Sequence, residues 1–273
     1  MGETVSFYGY NILESGTVTI SPSGAEDTGY PLTRLYDRSF NLLWKHTGDG
    51  GGGDDFGFDD DDFGFGDDDF GFDSDMAGSN YTITIDQGGE TKAVALFAVA
   101  GHNFAGKQIR LEYSTDGGTN WTSVLDFNQP DNSMIVETFA SVSAADWRVV
   151  IENPTNPQAA EIWLGSGYTF NVMAQNPLHA YAANVDWSRS IGGQESGIKL
   201  GETEVRRSYI LRISNGDLAN LQSFISQISE FAYPFIVKDK DDNYYLMRFD
   251  PPLSEDYFNP TYTESDSSLK EMV

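Results

Sequence analysis

The 273-residue chain contains no cysteine. A disulfide framework and a thiolate metal site are therefore excluded, and the chemistry suits a protein made in the cytosol. Basic residues are scarce, with 16 Lys and Arg against 42 Asp and Glu and a formal net charge of −26. That balance argues against nucleic acid, whose phosphates need basic partners, and against anionic membrane surfaces. No run approaches 18 consecutive apolar residues, so no membrane-spanning helix is expected. The first eleven residues lack a basic stretch followed by an apolar one, so no secretory signal is expected. Histidine is limited to His46, His102 and His179, and no two of them have metal-ligand spacing. No Gly-x-Ser-x-Gly nucleophile elbow is present. The expectation is a protein that is not an enzyme.

What the chain does have is β pattern. Tyr81-Thr82-Ile83-Thr84-Ile85-Asp86 alternates with period two, placing Tyr81, Ile83 and Ile85 on one face. Residues 93–100 form a nearly continuous apolar run suited to a central strand. Ile109, Leu111 and Tyr113 share a face, and Asp116-Gly117-Gly118 makes a turn before a strand over 121–127. Strands over 134–139, 147–151 and 161–164 complete a series with turns between them and no helix, the pattern of a sandwich or barrel. Trp147 and Trp163 fall in alternating strands and read as core. His102 ends the central strand with Asn103, and its expected role is a hydrogen bond that fixes a loop.

The pattern changes after Gly167. Residues 206–213 alternate, with Tyr209, Leu211 and Ile213 on one face. Leu218, Leu221, Phe224, Ile225, Ile228 and Phe231 recur at helical spacing, behind capping residues at 214–217 and before a stop at Tyr233-Pro234. Segments 235–237 and 244–249 read as a hairpin turning at 240–243. The fold class expected is mainly β: an N-terminal jelly-roll β-sandwich over 1–168, then a small α+β module over 169–273 with one amphipathic helix on an antiparallel sheet.

One segment belongs to neither pattern. No Lys or Arg occurs between Lys45 and Lys92, and residues 49–75 carry twelve Asp. Asp54-Asp55-Phe56-Gly57-Phe58 returns as Asp61-Asp62-Phe63-Gly64-Phe65 and as Asp68-Asp69-Phe70-Gly71-Phe72, a repeat of period seven. Strand pattern continues on both flanks, so 48–79 reads as a long loop inserted in the β domain. Three readings stay open. It is a solvated loop, since dense like charge and glycine disfavour packing. It is a docking segment, with Phe56, Phe58, Phe63, Phe65, Phe70 and Phe72 as anchors. Or Asp54, Asp55, Asp61, Asp62, Asp68 and Asp69 bind Ca²⁺, although the EF-hand and β-roll layouts are absent. No other metal and no cofactor is expected.

Gly29-Tyr30-Pro31, Leu35-Tyr36-Asp37, Trp44-Lys45, Ile83-Thr84-Ile85-Asp86, residues 109–117, Trp147-Arg148-Val149-Val150-Ile151 and Glu161-Ile162-Trp163-Leu164-Gly165 occur in this order. The series resembles the discoidin or coagulation-factor type C family, a galactose-binding-like jelly roll. Ala100-Gly101-His102-Asn103 is similar to copies in tailed-phage virion proteins. Arg206-Arg207-Ser208-Tyr209, the helix, Pro234-Phe235, residues 244–249 and the closing 269–273 are similar to modules of phage tail-tip and baseplate proteins. The resemblance implies a structural virion protein of a tail tip or baseplate, made in the host cytoplasm. Other tail proteins would be its partners, it would be a homo-oligomer in the assembled particle, and it would touch a host glycan. The rival expectation is a stand-alone, non-catalytic carbohydrate-binding module. Trp44, Lys45 and His46, beside the insert where family loops approach the ligand, are the expected binding rim. Arg206 and Arg207 are the expected docking pair, with ordinary edge-strand charge as the alternative.

Overall fold

The computed structural model describes residues 3–15, 17–24, 27–38, 42–46, 80–172, 178–182, 185–189, 195–199, 204–214, 217–229, 232–249, 254–259 and 262–271. The acidic repeat, with all its Phe and Asp candidates, lies outside them. The chain forms two compact units: Asn11–Leu164, and a second in which Met1–Tyr10 joins Gly165–Val273. The first strand, β1 (Glu3–Tyr8), belongs to the second unit.

The unit Asn11–Leu164 is the β-sandwich. Its strands are β2 (Thr19–Pro22), β3 (Trp44–Lys45), β4 (Tyr81–Asp86), β5 (Lys92–Ala100), β6 (Lys107–Ser114), β7 (Thr122–Gln129), β8 (Ile135–Ala144), β9 (Asp146–Ile151), β10 (Gln158–Ala159) and β11 (Glu161–Gly165). One sheet runs β2-β4-β9-β6-β7, a second β11-β5-β8, and β10 pairs with β3 in a short ladder. In the five-stranded antiparallel sheet the register aligns the apolar parities. Ile85 faces Trp147, Ile83 faces Val149 and Tyr81 faces Ile151, while Leu111 and Ile109 meet Val149 and Ile151 from the other side. All of these are buried. Period-two alternation therefore delivers one dry face, as read from the sequence. The central run of β5 is buried from Leu96 to Val99, and β5 lies between β11 and β8. Across the sandwich, Phe139 of β8 approaches Trp147 of β9 with ring centroids 6.2 Å apart. Trp147 and Trp163 are core residues, as expected.

The second unit contains β12 (Tyr168–Val172), β13 (Leu178–Ala182), β14 (Val185–Arg189), β15 (Glu195–Lys199), β16 (Glu204–Ser214), α1 (Leu218–Gln227), β17 (Phe235–Lys238), β18 (Tyr244–Phe249), β19 (Ser254–Asn259) and β20 (Tyr262–Glu271). An eight-stranded sheet runs β13-β16-β12-β1-β17-β18-β20-β19, and a further β16–β20 pairing closes six of its strands into a ring. β14 and β15 form a separate hairpin. Val5, Phe7, Phe170, Leu211, Ile213, Phe235, Val237, Met247, Phe249 and Leu269 form one buried cluster, joined by Leu221 and Phe224 of α1 and by Ile228. Among the described residues no helix is long and apolar enough to cross a membrane.

Two expectations about this unit need correction. The first module was read as starting at residue 1, yet β1 pairs with β12 and β17. The reason is chemical: Phe7 packs 5.6 Å from Phe170, 5.3 Å from Phe224 and 5.5 Å from Phe235, so removing β1 would open the barrel at its aromatic centre. The helix was expected to run to Phe231. It stops at Gln227 because Ser229 turns left-handed, at φ 48, and the Tyr233 amide returns to the Ile228 carbonyl. Asp217 does precede the helix, but its carboxylate accepts from Ser214 Oγ at 2.6 Å instead of capping.

Candidate functional site

At one end of the sandwich, loops from different strands are tied to one another. Nε2 of His102 donates to the Ser133 carbonyl at 2.7 Å, while its Nδ1 accepts the Phe104 amide at 3.2 Å. This places the proton on Nε2 of a neutral ring. Burial pushes the His102 pKa below its ordinary value, with Ser133 and Asp131 opposing. Asn103 donates to the Asn156 carbonyl and accepts the Gln158 amide, both at 3.0 Å. The Ala105 amide donates to Asn132 Oδ1 at 2.9 Å, and the His46 amide to the Pro157 carbonyl at 3.0 Å. Gly101 sits at φ 63, where a Cβ would come within 2.6 Å of the Ala160 side chain, so glycine alone fits this turn. His102 thus has the loop-fixing role read from the sequence, with both nitrogens occupied by it.

The expected rim divides along β3. Trp44 is fully buried and packs 5.5 Å from Tyr81, and His46 is 4% exposed with its ring 4.7 Å from Tyr81. Neither forms a binding surface, which corrects the expectation for both. The cause is strand parity: Trp44 and His46 point inward, and Ala159, opposite Trp44, is buried with it. Lys45 points outward beside its cross-strand neighbour Gln158.

Lys45 then meets a residue that sequence reasoning passed over. Its Nζ lies 4.2 Å from the ring centre of Tyr30, and the guanidinium of Arg34 lies 5.2 Å from the same centre. Backbone bonds fix the arrangement. The Tyr30 amide donates to Asp27 O at 2.8 Å, the Lys45 amide to Tyr30 O at 3.3 Å, and the Asp27 amide to Lys45 O at 3.2 Å. The 3-10 turn Leu32–Leu35 buries both of its leucines and presents Arg34, whose Nη1 donates to the Leu43 carbonyl at 3.0 Å. Tyr30, Arg34, Lys45 and Gln158 are each half-buried. The available signal was Gly29-Tyr30-Pro31 with an arginine four residues after the tyrosine; it was read as a family marker, not as a site.

Most described cations of the sandwich are paired with carboxylates, although Lys107 donates to the Asn153 carbonyl at 2.5 Å instead. Arg38 pairs with Glu14, Lys92 with Glu90, Arg110 with Glu112 and Glu152, and Arg148 with Glu112. Among the described residues Arg34 and Lys45 have no carboxylate partner. The nearby Asp27 carboxylate accepts the Gly29 amide at 2.8 Å.

Arg207 is 7% exposed, stacks 3.6 Å over Tyr245 and lies 4.0 Å from Glu271. It is occupied inside the second unit, so the docking role read for it is corrected; half-buried Arg206 lies opposite Lys270. β16 is also not an edge strand, having β20 on one side and β13 and β12 on the other. At the opposite end of the sandwich a cleft of about 350 Å³ is lined by Asp86, Thr91, Thr115 and Asp146 among others. Asp86 and Asp146 face each other in register, and burial, with Asp86 and Asp116 adding to it, pushes the Asp146 carboxyl up. Glu161 is 1% exposed; its Oε2 accepts the Arg38 amide at 3.1 Å, while the Arg38 side chain bonds Glu14 and lies 4.3 Å over Trp163. Desolvation pushes the Glu161 pKa up to about 9 despite the opposing Arg38 charge. Among the described residues no three His, Asp or Glu converge to hold a metal ion. The His179 side chain and the Ca²⁺ candidates lie outside the described residues.

No family model matches the chain, and no curated protein matches it. Several solved structures are similar. Chitosan-binding module 1 of a chitosanase/glucanase from Paenibacillus sp. IK-5 is 18% identical with a TM-score of 0.40, covering 57% of this chain and 98% of its own. The family 32 carbohydrate-binding module of Clostridium perfringens NanJ, solved with galactose, is 13% identical with a TM-score of 0.39, covering 59% and 99%. Another C. perfringens module, solved with GalNAc-β-1,3-galactose, is 16% identical with a TM-score of 0.39, covering 56% and 99%.

Proposed function

We propose that the sandwich is a non-catalytic saccharide-binding module, and that its ligand sits on the outward corner formed by Tyr30, Arg34, Lys45 and Gln158. The observation that supports this reading most is the corner itself. A lysine and a carboxamide are neighbours on one ladder, beside an aromatic ring, at a loop end already fixed by hydrogen bonds. Preformed polar groups of this kind bind hydroxylated ligands without an ordering cost. Nothing in the arrangement requires bond chemistry, since the corner offers charge and hydrogen bonds and His102 is occupied.

The test is a glycan array probed with the full chain at physiological salt. A defined subset of glycans should bind, and Lys45→Ala should weaken that binding by about tenfold, the loss expected for one charge-assisted hydrogen bond. Binding to no glycan at all would remove the reading.

The particle setting is a separate proposal, supported by the sequence resemblance of 100–103, of 206–209, the helix, 234–235 and 244–249, and of the closing 269–273. In it the second unit docks to neighbouring tail proteins and the chain is a homo-oligomer. Peptides of this chain in purified tail particles would support it, and their absence would defeat it.

A further inference from the structure

We infer that the saccharide bound at this corner is anionic, carrying a carboxylate or sulfate group recognised by Arg34 and Lys45. The inference rests on the saccharide-binding reading and goes one step past it, to ligand class. In a chain with 42 acidic and 16 basic residues, a cation finds a carboxylate easily. Arg38, Lys92, Arg110 and Arg148 do, while Lys107 reaches the Asn153 carbonyl instead. Arg34 and Lys45 do not among the described residues, although they approach the same tyrosine ring at 5.2 and 4.2 Å.

Two cations near one ring concentrate positive charge at this corner, and an anionic group bound there would neutralise it. Both are held in place by the fold. Arg34 is anchored through the Leu43 carbonyl, and Lys45 through its ladder with Gln158. The guanidinium keeps further N–H donors for a planar carboxylate, and the ammonium supplies a point charge. Gln158 adds a carboxamide for a ring hydroxyl. The large net negative charge does not prevent this. At 0.15 M salt the screening length is about 8 Å, so charges farther than that from the corner are largely screened.

The test is calorimetric titration of the full chain, at 0.15 M salt, with three probes of similar size: a galacturonic acid oligomer, a sulfated galacto-oligosaccharide and the matching neutral galacto-oligosaccharide. At least one anionic probe should bind about tenfold more tightly than the neutral one, which is what one charge-assisted bond adds. The carboxylate and sulfate arms identify the source of the anion. Arg34→Gln and Lys45→Gln should each reduce the preference for anionic over neutral ligand, with unchanged melting temperature. Equal or tighter binding of the neutral probe overturns the anionic class and leaves saccharide binding standing. Failure of all three, together with a blank glycan array, overturns both. A synthetic Asp-Asp-Phe-Gly-Phe peptide that binds the corner while no saccharide does also overturns the inference, assigning the corner to the acidic repeat.

Discussion

Replacing Trp44 by alanine should cost the sandwich about 3–5 kcal/mol of stability, the range for deleting a fully buried large aromatic. That is a large part of the ~5–15 kcal/mol that holds a typical domain folded. The side chain is 0% exposed, rests on Tyr81 and shares the space behind β3 with Ala159 and His46. Alanine would leave a cavity that the paired strands cannot close. Lys45→Ala, one residue on, should change stability by less than about 0.5 kcal/mol, because its side chain projects outward. Urea denaturation of both variants separates the two roles. A Trp44→Ala protein as stable as its parent would place the indole at the surface and restore the three-residue rim.

Glu161 supplies the second large effect, and its sign follows from proton counting. In the folded protein the carboxyl titrates at about 9, against a reference of 4.5, with burial as the largest cause. Between these values the folded state holds a proton that the unfolded state has lost. Stability contributed by this group is therefore intact below pH 4.5 and falls as pH rises toward 9. The total is on the order of several kcal/mol, since each unit is worth about 1.4 kcal/mol. Glu161→Gln preserves the acceptor for the Arg38 amide and removes the titration. The variant should match its parent near pH 5 and be markedly more stable near pH 9. Melting curves across that range test it, and parallel curves for the two proteins would show that Glu161 is ionised, and compensated, in the folded state.

The parts legible in the sequence were those whose signal is local. The alternation of β4 is set by one buried face, and the apolar run of β5 by burial on both. The turn at Gly117 and Gly118 needs left-handed backbone, which both adopt at φ 72 and 80. β1 was assigned to the wrong unit because its alternation marks it only as a strand; its partners β12 and β17 lie more than 150 and 220 residues away. The rim was misjudged for a related reason. β3 is two residues long and the acidic insert follows at once, so no neighbouring pattern revealed its parity. Arg207 shows the opposite failure. It shares the parity of Leu211 and Ile213, which are buried, so the pattern already pointed it inward. Tyr30 and Arg34 could not be found by spacing, because what joins them to Lys45 is backbone bonding between 27–30 and 45.

The proposed ligand site is the loop end containing Tyr30 and Lys45. The most direct measurement is hydrogen exchange by mass spectrometry on the full chain, with and without the tightest saccharide from the array. Exchange should slow in peptides covering 27–30, 43–46 and 153–158 and stay unchanged in the barrel strands of the second unit. Slowing confined to 86–91, 115–117 and 144–146, around the cleft at the opposite end, would contradict it.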